Sequence, residues 1–300
     1  MLMGTCLSVF VRNDGSPTLS FAGMCAGAAA NIFLDWLFIF PLQMGIVGAA
    51  IASGLGQVLT VLILLVHFLR RNGDLRIHAS KVSGALMAKV CKRGVPEAVT
   101  QLTTPVTALC YNLMLSRPIG DIGVSTFSVL SFIYSLVNAI LSGVAQGLQP
   151  LWGQCCGRKD GGGMAWYFRS GLMINIVLSV LIYGGLCFFD VPVIRIFNRE
   201  PELIKEATAA LPLFALSFVP MALNLIYTAY FFSTKRTGIA DAIAVSRGIA
   251  VKALMIFCLP LLFGTEAIWL APFITEIATL CAAIALSRAS KLVDRWDDGN

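Results

Sequence analysis

The sequence predicts an all-α polytopic membrane protein, and three observations predict it: composition, long apolar runs, and positive charge concentrated in alternate connections. Of its 300 residues, 57% are hydrophobic and 13% charged, against roughly 45–50% and 25% in soluble domains. The apolar residues form runs of about 20 or more, enough to cross a hydrocarbon layer about 30 Å thick. Within lipid each backbone polar group must be bonded inside its own segment, so these runs are helices; the short alternating segments of a strand barrel are absent. The net charge of +6 sits in the connections, where it orients helices, and does not point to nucleic acid.

Taken in order, Met1 to Val11 is too short to span, and lacks the basic start and small-residue cleavage site of a signal peptide. Complete spans follow at 18–41, 44–69, 93–116, 122–152, 164–189, 204–232, 239–263 and 266–287, eight in all. Pro96, Pro105, Pro150, Pro212, Pro220, Pro260 and Pro272 mark helix starts or bends. Residues 72–92 interleave basic residues with Val82, Leu86, Met87 and Val90, and predict an amphipathic cytoplasmic linker on the membrane surface or a solvated loop.

Arg12, the cluster from Arg70 to Arg93, Arg158 with Lys159 and Arg169, Lys235 with Arg236, and Arg288 with Lys291 and Arg295 occupy every second connection. The Lys/Arg bias puts these connections, and the C-terminus, on the cytoplasmic side.

An internal repeat is also legible. VFVRNDG at Val9–Gly15 pairs with YFFSTKR at Tyr230–Arg236, and GIVGAAIASGLGQ at Gly45–Gln57 with GTEAIWLAPFITE at Gly264–Glu276, both about 220 residues apart. The spans at 18–41 and 44–69 therefore correspond to the last two. The expected organisation is 1–71 as the end of a first six-helix lobe, 72–92 as linker, 93–288 as a complete second lobe and 289–300 as a tail. By subtraction, about 130 residues of the first lobe are expected ahead of Met1.

Acids inside spans are costly and face cavities, so coupling groups are sought among them. Asp35 lies about six residues, roughly 9 Å, from the outer end of its helix, too deep for its side chain to reach water. Asn31 is one turn earlier on the same face, and Ser53 on the next helix lies roughly 13 Å from the same outer end. Carboxylate, amide and hydroxyl oxygens suit a small hard cation; Asp35 alone could instead take a proton, and the same groups suit interhelical hydrogen bonds. Glu276 and Lys252 are further intramembrane charges that could pair with each other, or Lys252 could snorkel. Asn112, Gln146 and Asn224 are candidates to line a cavity, as are Tyr134 and Tyr227, whose rings offer contacts to lipophilic cations. The nine cysteines have no ligand spacing, no GxxxxGK[ST] occurs, and the only histidines are His67 and His78. Neither a metal centre, ATP hydrolysis nor an enzyme active site is expected.

FVRNDGSP, NIFLDWLFIF and MGIVGAAIASGLGQ, in that order, resemble the end of the first lobe of the multidrug and toxic compound extrusion (MATE) family. GVPEAVTQL, QGLQPLWGQ, NLIYTAYF and AIWLAPFITE extend the resemblance over essentially the whole chain. It implies a two-lobed, twelve-helix transporter of the plasma membrane, of which eight complete helices are present. It further implies antiport of organic, often cationic, compounds against Na⁺ or H⁺, without a cofactor. By the same resemblance, Asn31, Asp35 and Ser53 match a first-lobe cation site, one acid of which belongs to a helix this sequence lacks. Gln101 occupies a position where related sequences often carry Glu, a departure that bears on second-lobe coupling. A lipid-linked oligosaccharide flippase of the same superfamily and an inactive gene fragment are the alternative expectations.

Overall fold

A computed structural model describes residues 2–70, 75, 83–116, 118–234 and 249–289. The first part of the expected linker, the start of the span placed at 239–263 and the tail beyond residue 289 lie outside the described residues. The chain divides into two compact units, Met1–Ser83 and Gly84–Asn300.

Unit 1 holds α1 (Leu2–Asn13), α2 (Pro17–Ile39) and α3 (Gly45–Leu69). Pro17 opens α2 where a backbone N–H would have no intrahelical acceptor, which is where proline is best tolerated. The seam between α2 and α3 is made of small residues. Ser20, Gly23 and Gly27 are the buried positions of α2, while α3 buries Gly48, Ala52, Gly56, Thr60 and Leu64 at four-residue intervals. Spacing of that kind lets two backbones approach closely where no hydrophobic effect drives helices together. A Cβ on Gly56 would stand 2.8 Å from the Gly27 carbonyl oxygen and 2.9 Å from Asn31 Cβ. The outward faces stay apolar: Phe21, Ile32, Phe33 and Trp36 on α2 and Ile46, Val58 and Leu62 on α3 are exposed.

Unit 2 begins with α4 (Gly84–Leu115), followed by α5 (Asp121–Arg158), α6 (Gly161–Phe188), α7 (Asp190–Phe197), α8 (Pro201–Ala215), α9 (Phe218–Ser233) and α10 (Ile249–Phe263). A 3₁₀ turn, Thr265–Leu270, leads into α11 (Ala271–Ala289). α4 is continuous across residue 93. The residues from Gly84 to Lys92, expected to belong to the linker, form the first turns of this helix. Asp160 caps α6, accepting a hydrogen bond from Gly163 N–H at 2.9 Å. α8 and α9 meet at a 42° bend. Pro220 has no N–H for the Leu216 carbonyl, and Ser217 donates from its hydroxyl to the Phe214 carbonyl at 2.7 Å, a local bond that suits a break.

The eight predicted spans have helical counterparts. Among the described residues five helices are long and apolar enough to cross a membrane, six with the bent α8–α9 pair counted as one span. Leu102–Leu115 and Val251–Phe263 are shorter apolar stretches at the two remaining places. The molecule is a multi-pass membrane protein.

The repeat has a backbone counterpart too. Gly45 and Gly264, which pair in the sequence repeat, both carry positive φ, +55° and +89°. Each follows a penultimate helix and precedes a last one, at a turn that a Cβ would strain.

The core of unit 2 gathers Tyr111, Leu130, Leu141, Phe214, Phe218 and Trp269. A smaller cluster surrounds Trp152 with Met164, Ile226 and Ala229.

Candidate functional site

In unit 1 the seam between α2 and α3 sets the site. Because Gly56 allows the Asn31 Cα to approach, the Asn31 amide reaches across and Nδ2 donates to Ser53 Oγ at 3.4 Å. The bond is long for N–H···O, and both residues line an open cleft of about 720 Å³ with Met3 and Gln57. Asp35, one turn further along α2, is half-buried, and its Oδ1 is enclosed without a hydrogen-bond partner among the described residues. The structure therefore brings Asn31 and Ser53 together, while Asp35 stands beside that contact and does not line the cleft. A carboxylate oxygen enclosed without a hydrogen-bond partner is costly unless something binds it.

At the other end of unit 1 is a pair for which the sequence offered no argument. His67, in the last turn of α3, meets Asp14 with Nε2 to Oδ2 at 2.8 Å, their side chains 1% and 8% exposed. The Leu75 N–H also reaches Asp14, 3.3 Å from Oδ2. Fifty-three residues separate His67 from Asp14, so only their placement at the same end of neighbouring helices could have suggested the contact.

In unit 2 the intramembrane charges do not pair with each other as one expectation had it. Glu276 is 1% and Asn224 0% exposed. Asn224 Nδ2 donates to Glu276 Oε2 at 2.7 Å and to the Glu276 carbonyl at 2.9 Å, tying α9 to α11. Lys252 turns instead to Tyr134, with Nζ 5.8 Å from the ring centroid, a cation–π distance. Both line a cavity of about 130 Å³ with Thr104, Thr107, Tyr111, Phe127, Ser131, Ser135, Phe214, Ile256 and Thr275. Its apolar wall is rigid: Tyr111 stacks on Phe127 at 4.1 Å between ring centroids, and the Tyr111 hydroxyl donates to the Ile268 carbonyl at 3.2 Å. Ser135 and Thr275 donate to carbonyls of their own helices, at 2.9 and 2.8 Å.

The remaining expected cavity residues are dispersed. Asn112 and Gln146 lie exposed on α4 and α5. Tyr227 packs edge-on to Phe168, 5.3 Å between centroids, near the Trp152 cluster. The Gln101 side chain lies outside the described residues. Thr104, Thr107, Tyr111, Ser131 and Thr275 had not been singled out. For Thr104, Thr107 and Tyr111 the signal was the recurrence of hydroxyl-bearing residues at three- and four-residue intervals on α4, a helical stripe.

Comparison with known proteins follows the same lines. The family profile MatE matches residues 96–264. The multidrug export protein MepA of Staphylococcus haemolyticus is 24% identical over 293 residues, covering 93% of this chain and 61% of its own length. MepA of a bovine strain of Staphylococcus aureus is 23% identical, covering 96% of this chain and 63% of its own length. The chain thus spans rather less than two thirds of the curated relatives it matches. A solved structure described as an outward-facing multidrug resistance MATE family transporter of the MOP superfamily superposes with a TM-score of 0.88 at 18% identity. That superposition covers 98% of this chain and 66% of the other. A crystal structure of MATE in complex with MaL6 gives 0.88 at 17% identity, with 98% and 67% covered.

Proposed function

This chain belongs to the MatE family, and from that premise we propose that the full-length protein exports small organic compounds, cations among them, in exchange for Na⁺ or H⁺. Unit 1 supplies the ion site. The observation that carries the assignment is Asp35 Oδ1, enclosed without a partner one turn from the contact of Asn31 with Ser53. When Asp35 is ionised, a cation shared with the Asn31 and Ser53 oxygens, or a proton on the carboxylate, neutralises a charge the membrane interior penalises. Release of the ion on the other side restores the penalty, and that difference is what couples an ion gradient to movement of the unit. The names of the MepA relatives, multidrug export proteins, support organic cargo.

The test is ion-driven dye efflux from proteoliposomes carrying a full-length form. Asp35→Asn keeps the shape and removes the charge, and is expected to abolish the response to an imposed Na⁺ or pH gradient. Unchanged efflux with unchanged ion dependence would reject the assignment. Comparing a Na⁺ gradient at fixed pH with a pH gradient without Na⁺ identifies the ion.

A second reading, movement of a lipid-linked oligosaccharide, is favoured by one observation: the cavity of unit 2 carries Lys252 and is lined by no acidic residue among those described. It requires recognition of a diphosphate. Inorganic pyrophosphate that competes with cargo would select this reading over the first.

A further inference from the structure

Lys252 interrupts an otherwise apolar helix, Ile249–Phe263, and a cation within an apolar helix of a membrane protein is expensive and marks a function. Its ammonium faces the Tyr134 ring at 5.8 Å, and among the described residues none that lines its cavity carries a negative charge. Among the described residues, the one buried acid close in sequence to the lining residues, Glu276, is held by Asn224 on α9. Lysine has three donors and no acceptor. With the Thr104, Thr107 and Ser131 hydroxyls around the same space, the cavity offers donors and a positive charge, and none of the described lining residues supplies a counter-charge. Groups arranged in this way recognise an anion.

Size narrows the class. About 130 Å³ is the share of liquid volume of roughly four water molecules. That holds a carboxylate and the carbons nearest it, against the apolar lining of Phe127, Phe214 and Ile256. One ammonium balances one negative charge, which fits a monoanion better than a diphosphate. We infer that the Lys252 cavity seats the carboxylate of an organic monoacid or zwitterion, so that the cargo includes such acids. The inference rests on the export reading for the meaning of cargo, but the binding it describes is measurable without transport.

The purified chain in detergent micelles, titrated calorimetrically with benzoate, benzamide and benzyltrimethylammonium, tests it. Benzoate is expected to bind about tenfold more tightly than the neutral and cationic probes, the scale of one charge-assisted contact. Lys252→Met should erase the preference, Lys252→Arg should retain it, and Thr107→Val should weaken benzoate severalfold. Absence of benzoate binding, equal binding of the three probes, or a preference that survives Lys252→Met overturns the proposal. Should Lys252→Met fail to fold, the three-probe comparison on the unaltered chain and on Lys252→Arg still decides. Displacement of benzoate by inorganic pyrophosphate would give the cavity to a diphosphate headgroup and overturn the carboxylate assignment. Because no ion gradient enters this measurement, the loss or survival of coupled efflux in Asp35→Asn leaves its outcome unchanged, and the two failures are separable.

Discussion

At the scale of single residues, the buried and half-buried polar groups divide into those that hold helices together and those left with something to bind. Asn224 is of the first kind: its amide is committed to Glu276 through two hydrogen bonds in a fully enclosed place. Asn224→Leu removes both donors and leaves the carboxylate short of a partner. An interhelical hydrogen bond of this sort contributes about 1 kcal/mol in membrane proteins, so thermal unfolding in detergent should shift down by a few degrees. Glu276→Gln keeps an acceptor oxygen for the amide and should shift it less; the reverse order would mean that the charge of Glu276, not its hydrogen bond, matters. His67 and Asp14 form the corresponding tie in unit 1. His67→Phe keeps the edge-on contact with Phe68 and removes the polar one. Faster amide exchange is then expected at Leu75, whose N–H points at Asp14, with little change in the middle of α3. Asp35 and Lys252 are of the second kind. Depth counted along the sequence placed Asn31 and Ser53 at one level, and the structure puts them in contact. It could not place Lys252, because depth fixes height and not rotation: a turn of α10 about its axis decides between Glu276 and Tyr134.

At the scale of elements, the contact of α2 with α3 depends on the absence of side chains. A Cβ on Gly27 would collide with Thr60 Oγ1 and stand 2.8 Å from the Gly56 carbonyl oxygen. Gly27→Ala should therefore force the helices apart and cost about 2 kcal/mol, the range for overpacking a tight contact. Thr60→Ala in the same chain removes the hydroxyl but leaves the carbonyl, so rescue should be partial; full rescue would show that the backbones are not in close contact. Because Asn31 packs its Cβ against Gly56, the separation also lengthens the reach from Asn31 to Ser53, and ion dependence should weaken with stability. The stripe of small residues was present in the sequence, but its partner was not: spacing identifies a face, and only the paired helix says what the face meets. The continuity of α4 was similarly hidden, since a basic, interleaved segment reads the same whether it ends at a helix start or runs into it.

At the scale of the molecule, helix length carries orientation. α4 has 32 residues and α5 has 38, roughly 48 and 57 Å at 1.5 Å each, whereas the hydrocarbon layer is about 30 Å thick. The two are joined by the short connection between Leu115 and Asp121, so with that connection at one interface both overhang the other. The overhanging parts are those with Lys89 on α4 and Arg158 on α5, and the Lys/Arg bias predicts the cytoplasmic side for them. From that expected side every later crossing follows by alternation, with the bent α8–α9 pair counted once. Fusions read the result directly. Green fluorescent protein joined after Asn300 should fluoresce and alkaline phosphatase joined there should be inactive, while phosphatase joined after Arg199, in the connection between α7 and α8, should be active. Had α8 and α9 been two crossings, the Arg199 fusion would keep its activity but the Asn300 fusions would exchange theirs. The pair of sites therefore tests the bend as well as the orientation.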